Sequence, residues 1–119
     1  MDTNDLLDAD ATTIAAAIAN RDVSATEMVL ATLDRVEARN PALNAVVSHR
    51  AEAALDEAAA AVPGSGPLTG VPFVIKDLYA EVTGMPATSG SRLFADRVAT
   101  VDTEIVARYR RLPASSWWA

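Results

Sequence analysis

A single lysine stands among nine arginines in this chain, and that lysine, Lys76, closes the apolar run Val71-Pro72-Phe73-Val74-Ile75. The distinction is chemical. An arginine keeps its proton in a protein, whereas a lysine held in apolar surroundings can give its proton up near neutral pH and act as a base. Neutralising a lysine at pH 7 takes about 4 kcal/mol of differential interaction, an amount that burial alone can supply. Asp77 follows directly, and a Gly/Thr/Ser segment lies a few residues further on, a combination suited to acid–base chemistry on a small substrate. Spacing alone leaves a second account open. In it, Lys76 lays its stem on apolar neighbours, reaches solvent and pairs with Asp77.

The elements that must position Lys76 can be read outward from it. The run 71–75 is apolar on both alternating faces, which predicts an interior strand. Upstream, Pro63-Gly64-Ser65-Gly66-Pro67 breaks the chain and separates a helical first half from a second half of strands and loops. In the first half, Asp10 or Thr12 caps a short helix that runs through Ile14, Ala17 and Ile18 to about Asn20, and Ser24-Ala25-Thr26-Glu27 has the spacing of a capping box. The helix after that box sets Met28, Leu30, Ala31, Leu33 and Val36 on one face and is expected to stop at Asn40-Pro41. Val46-Val47 mark a short strand over 43–48, and an alanine-rich helix follows from about Arg50 to Ala61. Beyond Lys76 come a short run from Tyr79 to Val82, a turn-rich segment with Gly84, Pro86 and Gly90, and a last helix from Asp102 or Thr103 to about Arg111. That helix is expected to turn Ile105, Val106 and Tyr109 inward.

Half of the 119 residues are hydrophobic and 22% are charged, which suits one modest domain. Alanine supplies much of the apolar fraction and buries little area, so the expected fold is marginal or incomplete. The net charge of −6 argues against a nucleic-acid partner, whose phosphates are met by clustered Lys and Arg. Without cysteine there is neither a disulfide framework nor a thiolate metal site, and His49, the one histidine, cannot form a histidine cluster. No apolar stretch is long enough to span a bilayer, and Met1-Asp2-Thr3-Asn4-Asp5 lacks the basic start of a secretory signal. The expected location is the cytoplasm, with no membrane partner.

Two longer strings surround Lys76. Leu68-Thr69-Gly70-Val71-Pro72-Phe73-Val74-Ile75-Lys76-Asp77, followed by Thr83-Gly84-Met85-Pro86-Ala87-Thr88-Ser89-Gly90-Ser91-Arg92, resembles the amino-terminal signature of the amidase signature family of hydrolases. Asn40-Pro41-Ala42-Leu43-Asn44-Ala45-Val46 and Asp102-Thr103-Glu104-Ile105-Val106 fit the same family's order, so the resemblance covers about residues 5 to 111. It implies an α/β fold, of which residues 1–111 are the amino-terminal helices plus the first strands of a mixed sheet, incomplete as it stands. It also implies a Ser, cis-Ser, Lys triad in which the position of Lys76 accepts a proton through a bridging serine, so that a second serine attacks an amide carbonyl and water resolves the acyl-enzyme. The resemblance calls for no metal or organic cofactor, and it implies a small-molecule amide substrate. The family's two serines sit in a Gly/Ser-rich segment well downstream, and no such segment occurs in this sequence. Ser89 and Ser91 read as turn residues bonded to their own backbone, Ser115 and Ser116 lack a Gly-rich context, and His49 reads as a surface or capping residue.

Residues 112–119 depart from the family pattern where Ala-Gly and a buried strand are expected. Trp has the single codon TGG and Ala begins GC, so reading Trp117-Trp118-Ala119 one base upstream forces Val then Gly at the last two positions. With suitable serine and alanine codons, Ala114 to Ala119 becomes Gly-Leu-Val-Val-Val-Gly, the missing strand. These residues are therefore expected to be an out-of-frame tail on 1–111. The expected function is hydrolysis of carbon–nitrogen bonds other than peptide bonds, with this 119-residue chain inactive alone. The alternatives are a small non-catalytic interaction protein whose helical half docks on a partner, and a fragment of a tRNA-dependent amidotransferase subunit. The oligomeric state is open.

Overall fold

The computed structural model describes residues 2–111 together with the backbone of 117–118. Helices make up the first half: α1 spans Thr3–Leu6, α2 Ala11–Asn20, α3 Ala25–Leu43 and α4 Ala51–Ala60. Their starts follow local chemistry. The Asp10 carboxylate accepts the Thr13 N–H at 2.8 Å and opens α2, while Ser24 and Glu27 close a reciprocal capping box on α3. Both carboxyls lie below their ordinary values, Asp10 because of its hydrogen bonds to Thr13 and Glu27 because of those to Ser24. Arg35 ties α3 back to α1 by donating to the Leu7 carbonyl at 3.1 Å and to the Asp8 carboxylate at 2.6 Å. The core of this half gathers Leu6, Ile14, Ile18, Met28, Val29 and Val71 around Ala15, Ala25, Ala54 and Ala58. Through those alanines the helices approach closely on small side chains.

The second half has little regular structure. Strand β1 is Phe73–Val74, α5 is Glu104–Arg111 and β2 is Trp117–Trp118. The strands pair in parallel, Phe73 with Trp117 and Val74 with Trp118, with α5 in the crossover that a parallel pair needs. Between β1 and α5, an antiparallel contact joins 84–87 to 97–99 through Gly84 N–H to Ala99 O at 2.8 Å and Ala87 N–H to Arg97 O at 2.9 Å. A small second core forms around Val82 and Val106, with Phe73, Ile75, Ala80 and Met85 packed against it, and Tyr109 meets Phe73 edge to face at 5.3 Å. Among the described residues no helix is long and apolar enough to cross a membrane.

Several expectations are corrected. Helix α3 does not stop at Pro41 but carries it inside and runs to Leu43; it ends where Asn44 turns left-handed at φ 48°, its N–H donating to the Asn40 carbonyl. The strand expected over 43–48 is absent. Val46 instead exchanges two hydrogen bonds with the Asn40 side-chain amide, at 2.8 and 2.9 Å, so its backbone groups are met without a neighbouring strand. The interior strand over 71–75 contracts to two residues with Val74 exposed, and a turn over 77–79 leads into coil through 80–82. Val29 is buried where Leu30 was expected, and Ile105 on α5 is half exposed while Val106 is fully buried. The out-of-frame reading of 112–119 falls on residues outside the described set, apart from the backbone at 117–118.

Gly70 joins the two halves. Its φ is +80°, and a Cβ there would stand 2.7 Å from the Ala25 Cβ and 3.3 Å from Ile18 Cδ1. The chain leading into β1 thus lies directly on the α2–α3 packing face, where only hydrogen fits. Gly70→Ala is expected to cost on the order of 2 kcal/mol, from combined backbone strain and overpacking. Urea denaturation of the two chains checks this, and equal midpoints would contradict it.

Candidate active site

Lys76 lies two residues past β1, in an open cleft of 580 Å³ whose lining is mostly apolar. Three segments build that cleft, 45–48, 74–77 and the stretch holding Pro86, Thr88 and Gly90, and each is fixed by a different device. The Asn40 amide fixes the first through Val46. Strand β1 carries the second. The third is held by Asp77, whose carboxylate accepts the Thr88 N–H at 2.9 Å, the Ser89 N–H at 3.3 Å and the Thr88 hydroxyl. The Thr88 Oγ1 in turn accepts the Gly90 N–H at 3.2 Å and tightens the turn.

Neither expected environment surrounds Lys76. Its side chain is exposed, so the described residues do not supply the apolar burial expected of a base. Nor does it pair with Asp77, whose oxygens are taken up by Thr88 and Ser89; among the described residues Lys76 enters no ion pair. It stands exposed on the lining of a mostly apolar cleft.

The other candidate residues fall as expected or elsewhere. Ser91 caps a short 3-10 turn, Arg92–Phe94, by accepting the Leu93 N–H, and Ser89 holds φ 50° in the turn that Asp77 anchors. His49 is exposed and lines a separate groove with Glu37 and Asn40. Among the described residues no cluster of potential metal ligands occurs. Sequence reasoning missed Ser48, which shares the cleft with Lys76, and the Asp77–Thr88 clamp, which links residues eleven apart. Asp102 ties the loop to α5 by accepting the Thr83 N–H at 2.8 Å and a hydrogen bond from Arg110. Burial pushes the Asp102 carboxyl up, but the Thr83 hydrogen bonds and the Arg110 guanidinium outweigh it and hold the group below the ordinary 3.8. A carboxylate depressed in this way stabilises the fold fully above its ordinary value and ceases to as pH falls through its lower folded value, so this tie is intact at neutral pH.

Lys76 thus follows a Gly-Val-Pro stretch and β1, with the Thr/Ser/Gly turn clamped beside it by Asp77. The family model described as Amidase matches residues 27–116, and the chain belongs to that family. It is 42% identical over 106 residues to an acylamidase of Rhodococcus erythropolis, a match covering 84% of this chain and 22% of the relative. It is 37% identical over 116 residues to a glutamyl-tRNA(Gln) amidotransferase subunit of Azoarcus sp. (strain BH72), covering 93% of this chain and 24% of that one. Among solved structures, a bacterial aryl acylamidase of the amidase signature family superposes with a TM-score of 0.80 at 31% identity, over 92% of this chain and 24% of the other. A 6-aminohexanoate cyclic dimer hydrolase superposes with a TM-score of 0.79 at 34% identity, over 92% and 22%. The chain therefore spans about a quarter or less of the length of the relatives it matches.

Asp77→Ala leaves two backbone donors and one hydroxyl without their acceptor. Amide exchange at Thr88 and Ser89 is expected to quicken about tenfold or more, while α2 and α3 amides hold their rates. Unchanged exchange at Thr88 would contradict the clamp.

Proposed function

We propose that Lys76 is the base of an amide-hydrolysing site of the Ser, cis-Ser, Lys kind, and that this chain carries the lysine side of that site without its serines. The observation that carries the reading is the position of Lys76 on the lining of the cleft, with no ion pair among the described residues, in a chain of the amidase family. The chemistry follows from what the lysine lacks. An exposed ammonium is a poor base, and closing apolar surface over it disfavours the charged form. A bridging serine brought beside a neutral Lys76 passes it a proton and takes one from the second serine, whose Oγ attacks the carbonyl carbon of the amide; the C–N bond then breaks as the amine leaves with the proton returned from Lys76, and water hydrolyses the acyl ester to the acid and the free serine. The acylamidase and the cyclic dimer hydrolase among its relatives support a small amide as substrate. Likeness to the amidotransferase subunit is nearly as strong, and it leaves a role within such an assembly as the second form of the same reading.

The test is a single-chain hybrid in which residues 1–111 replace the matched segment of the Rhodococcus erythropolis acylamidase. The hybrid is expected to hydrolyse an aryl amide, and the 119-residue chain alone is expected not to. Lys76→Ala and Lys76→Arg should each lower kcat about a thousandfold or more with unchanged folding by circular dichroism, since neither side chain can take the proton. A folded Lys76→Ala hybrid within tenfold of its parent would sink the assignment.

A further inference from the structure

Among the described residues that line the cleft and the small cavity adjoining it, Asp77 is the one acid and Lys76 the one base. Opposite charges on neighbouring residues, with no other ionisable side chain on the walls, would be expected to settle against one another. They do not, and Thr88 is the reason. Its N–H donates to both Asp77 oxygens, at 2.9 Å to Oδ1 and 3.1 Å to Oδ2, and its hydroxyl donates to Oδ2. Ser89 adds a longer bond of 3.3 Å to Oδ1. Oδ1 is thus met by two backbone groups, whereas Oδ2 depends on the Thr88 side chain for its second donor.

The hydroxyl is itself oriented. Its oxygen accepts the Gly90 N–H at 3.2 Å, and the one proton it has to give goes to the carboxylate. Ser89 holds φ 50° in the same turn, a conformation that persists in a non-glycine residue only where its surroundings impose it. The other charge that feels Asp77 is Arg97, and its guanidinium is taken up by Glu81 at 2.6 Å and the Ala87 carbonyl at 3.4 Å. Segments 45–48 and 86–90, the other walls of the cleft, contain no ionisable side chain. We propose that Thr88 is a positioning residue: its hydroxyl holds the Asp77 carboxylate on the turn and so leaves Lys76 without a counter-ion. A carboxylate released beside the ammonium would favour the charged form and withhold the neutral amine that proton transfer needs. That this governs amide hydrolysis rests on the function proposed above; that Thr88 keeps the two charges apart does not.

The test uses the full 119-residue chain, in which Lys76 is the only lysine, so that lysine labelled with carbon-13 at Cε gives one side-chain signal whose pH titration follows the amine directly. Thr88→Val removes the hydroxyl and keeps the backbone N–H and the shape. The Lys76 midpoint is expected to rise by about half a pH unit, the effect of a solvent-accessible ion pair. Thr88→Ser, which restores the hydroxyl, should titrate like the parent. Thr88→Val made in an Asp77→Asn chain should give no rise, which separates a released charge from a merely loosened turn. Thr88→Ala takes the place of Thr88→Val if circular dichroism shows the valine chain unfolded. An unchanged midpoint in the folded variant overturns the proposal, as does a rise that survives Asp77→Asn. In the acylamidase hybrid, Thr88→Val should move the acid limb of kcat/KM upward by about the same amount and leave the plateau within about threefold. A limb that stays in place in a hybrid that needs Lys76 overturns the positioning role. A hybrid indifferent to Lys76→Ala counts against the lysine as base, and the titration of the 119-residue chain then decides Thr88 alone.

Discussion

The carboxylate of Asp77 is the interaction on which the site depends. The segment before it comes from β1 and the segment it grips comes from a turn eleven residues later, and no strand ladder among the described residues joins them. A charged acceptor facing two backbone N–H groups and a hydroxyl is worth more than a neutral hydrogen bond, and its geometry fixes both position and direction. The same commitment explains Lys76. With the Asp77 oxygens turned toward Thr88 and Ser89, the ammonium next door has no carboxylate to settle against. A lysine that is to become neutral must avoid such a partner, since a nearby anion favours the charged form.

A second constraint is that the cleft is walled by side-chain devices rather than by a sheet. The Asn40 amide takes the place of a neighbouring strand for Val46, and Gly70 lets the chain entering β1 lie against Ala25 and Ile18. The Gly70 contact joins the helical half, which holds most of the buried apolar side chains, to the half that holds the lysine, while the Asn40 amide fixes a cleft wall within the helical half. The site is therefore only as rigid as its attachment to the helices. The second core and the exposed lysine both lie beyond that attachment.

Sequence reading succeeded where the physics is local. Asp10 and the Ser24–Glu27 box act over three residues, so the starts of α2 and α3 were legible, as were the alanine-rich α4 and the start of α5. It failed where the deciding partner was distant or was a side chain. Nothing about Val46-Val47 announces that Asn40 will satisfy the backbone there, and an apolar run such as 71–75 cannot say how many strands will flank it. Lys76 stood out by residue type and the family by its strings of residues, but the exposure of the lysine and the Asp77 clamp depend on contacts that only the fold brings together.

The central claim is that Lys76 becomes a base when serines and apolar cover are brought to it. The most direct measurement is the distance from Lys76 Nζ to the nearest serine Oγ in a crystal structure of the chain joined to the rest of an amidase fold. The predicted result is a hydrogen bond of about 2.6–3.2 Å to a bridging serine, with the ammonium's former solvent face covered. A Lys76 that still points to solvent, or that pairs with a carboxylate there, would contradict it.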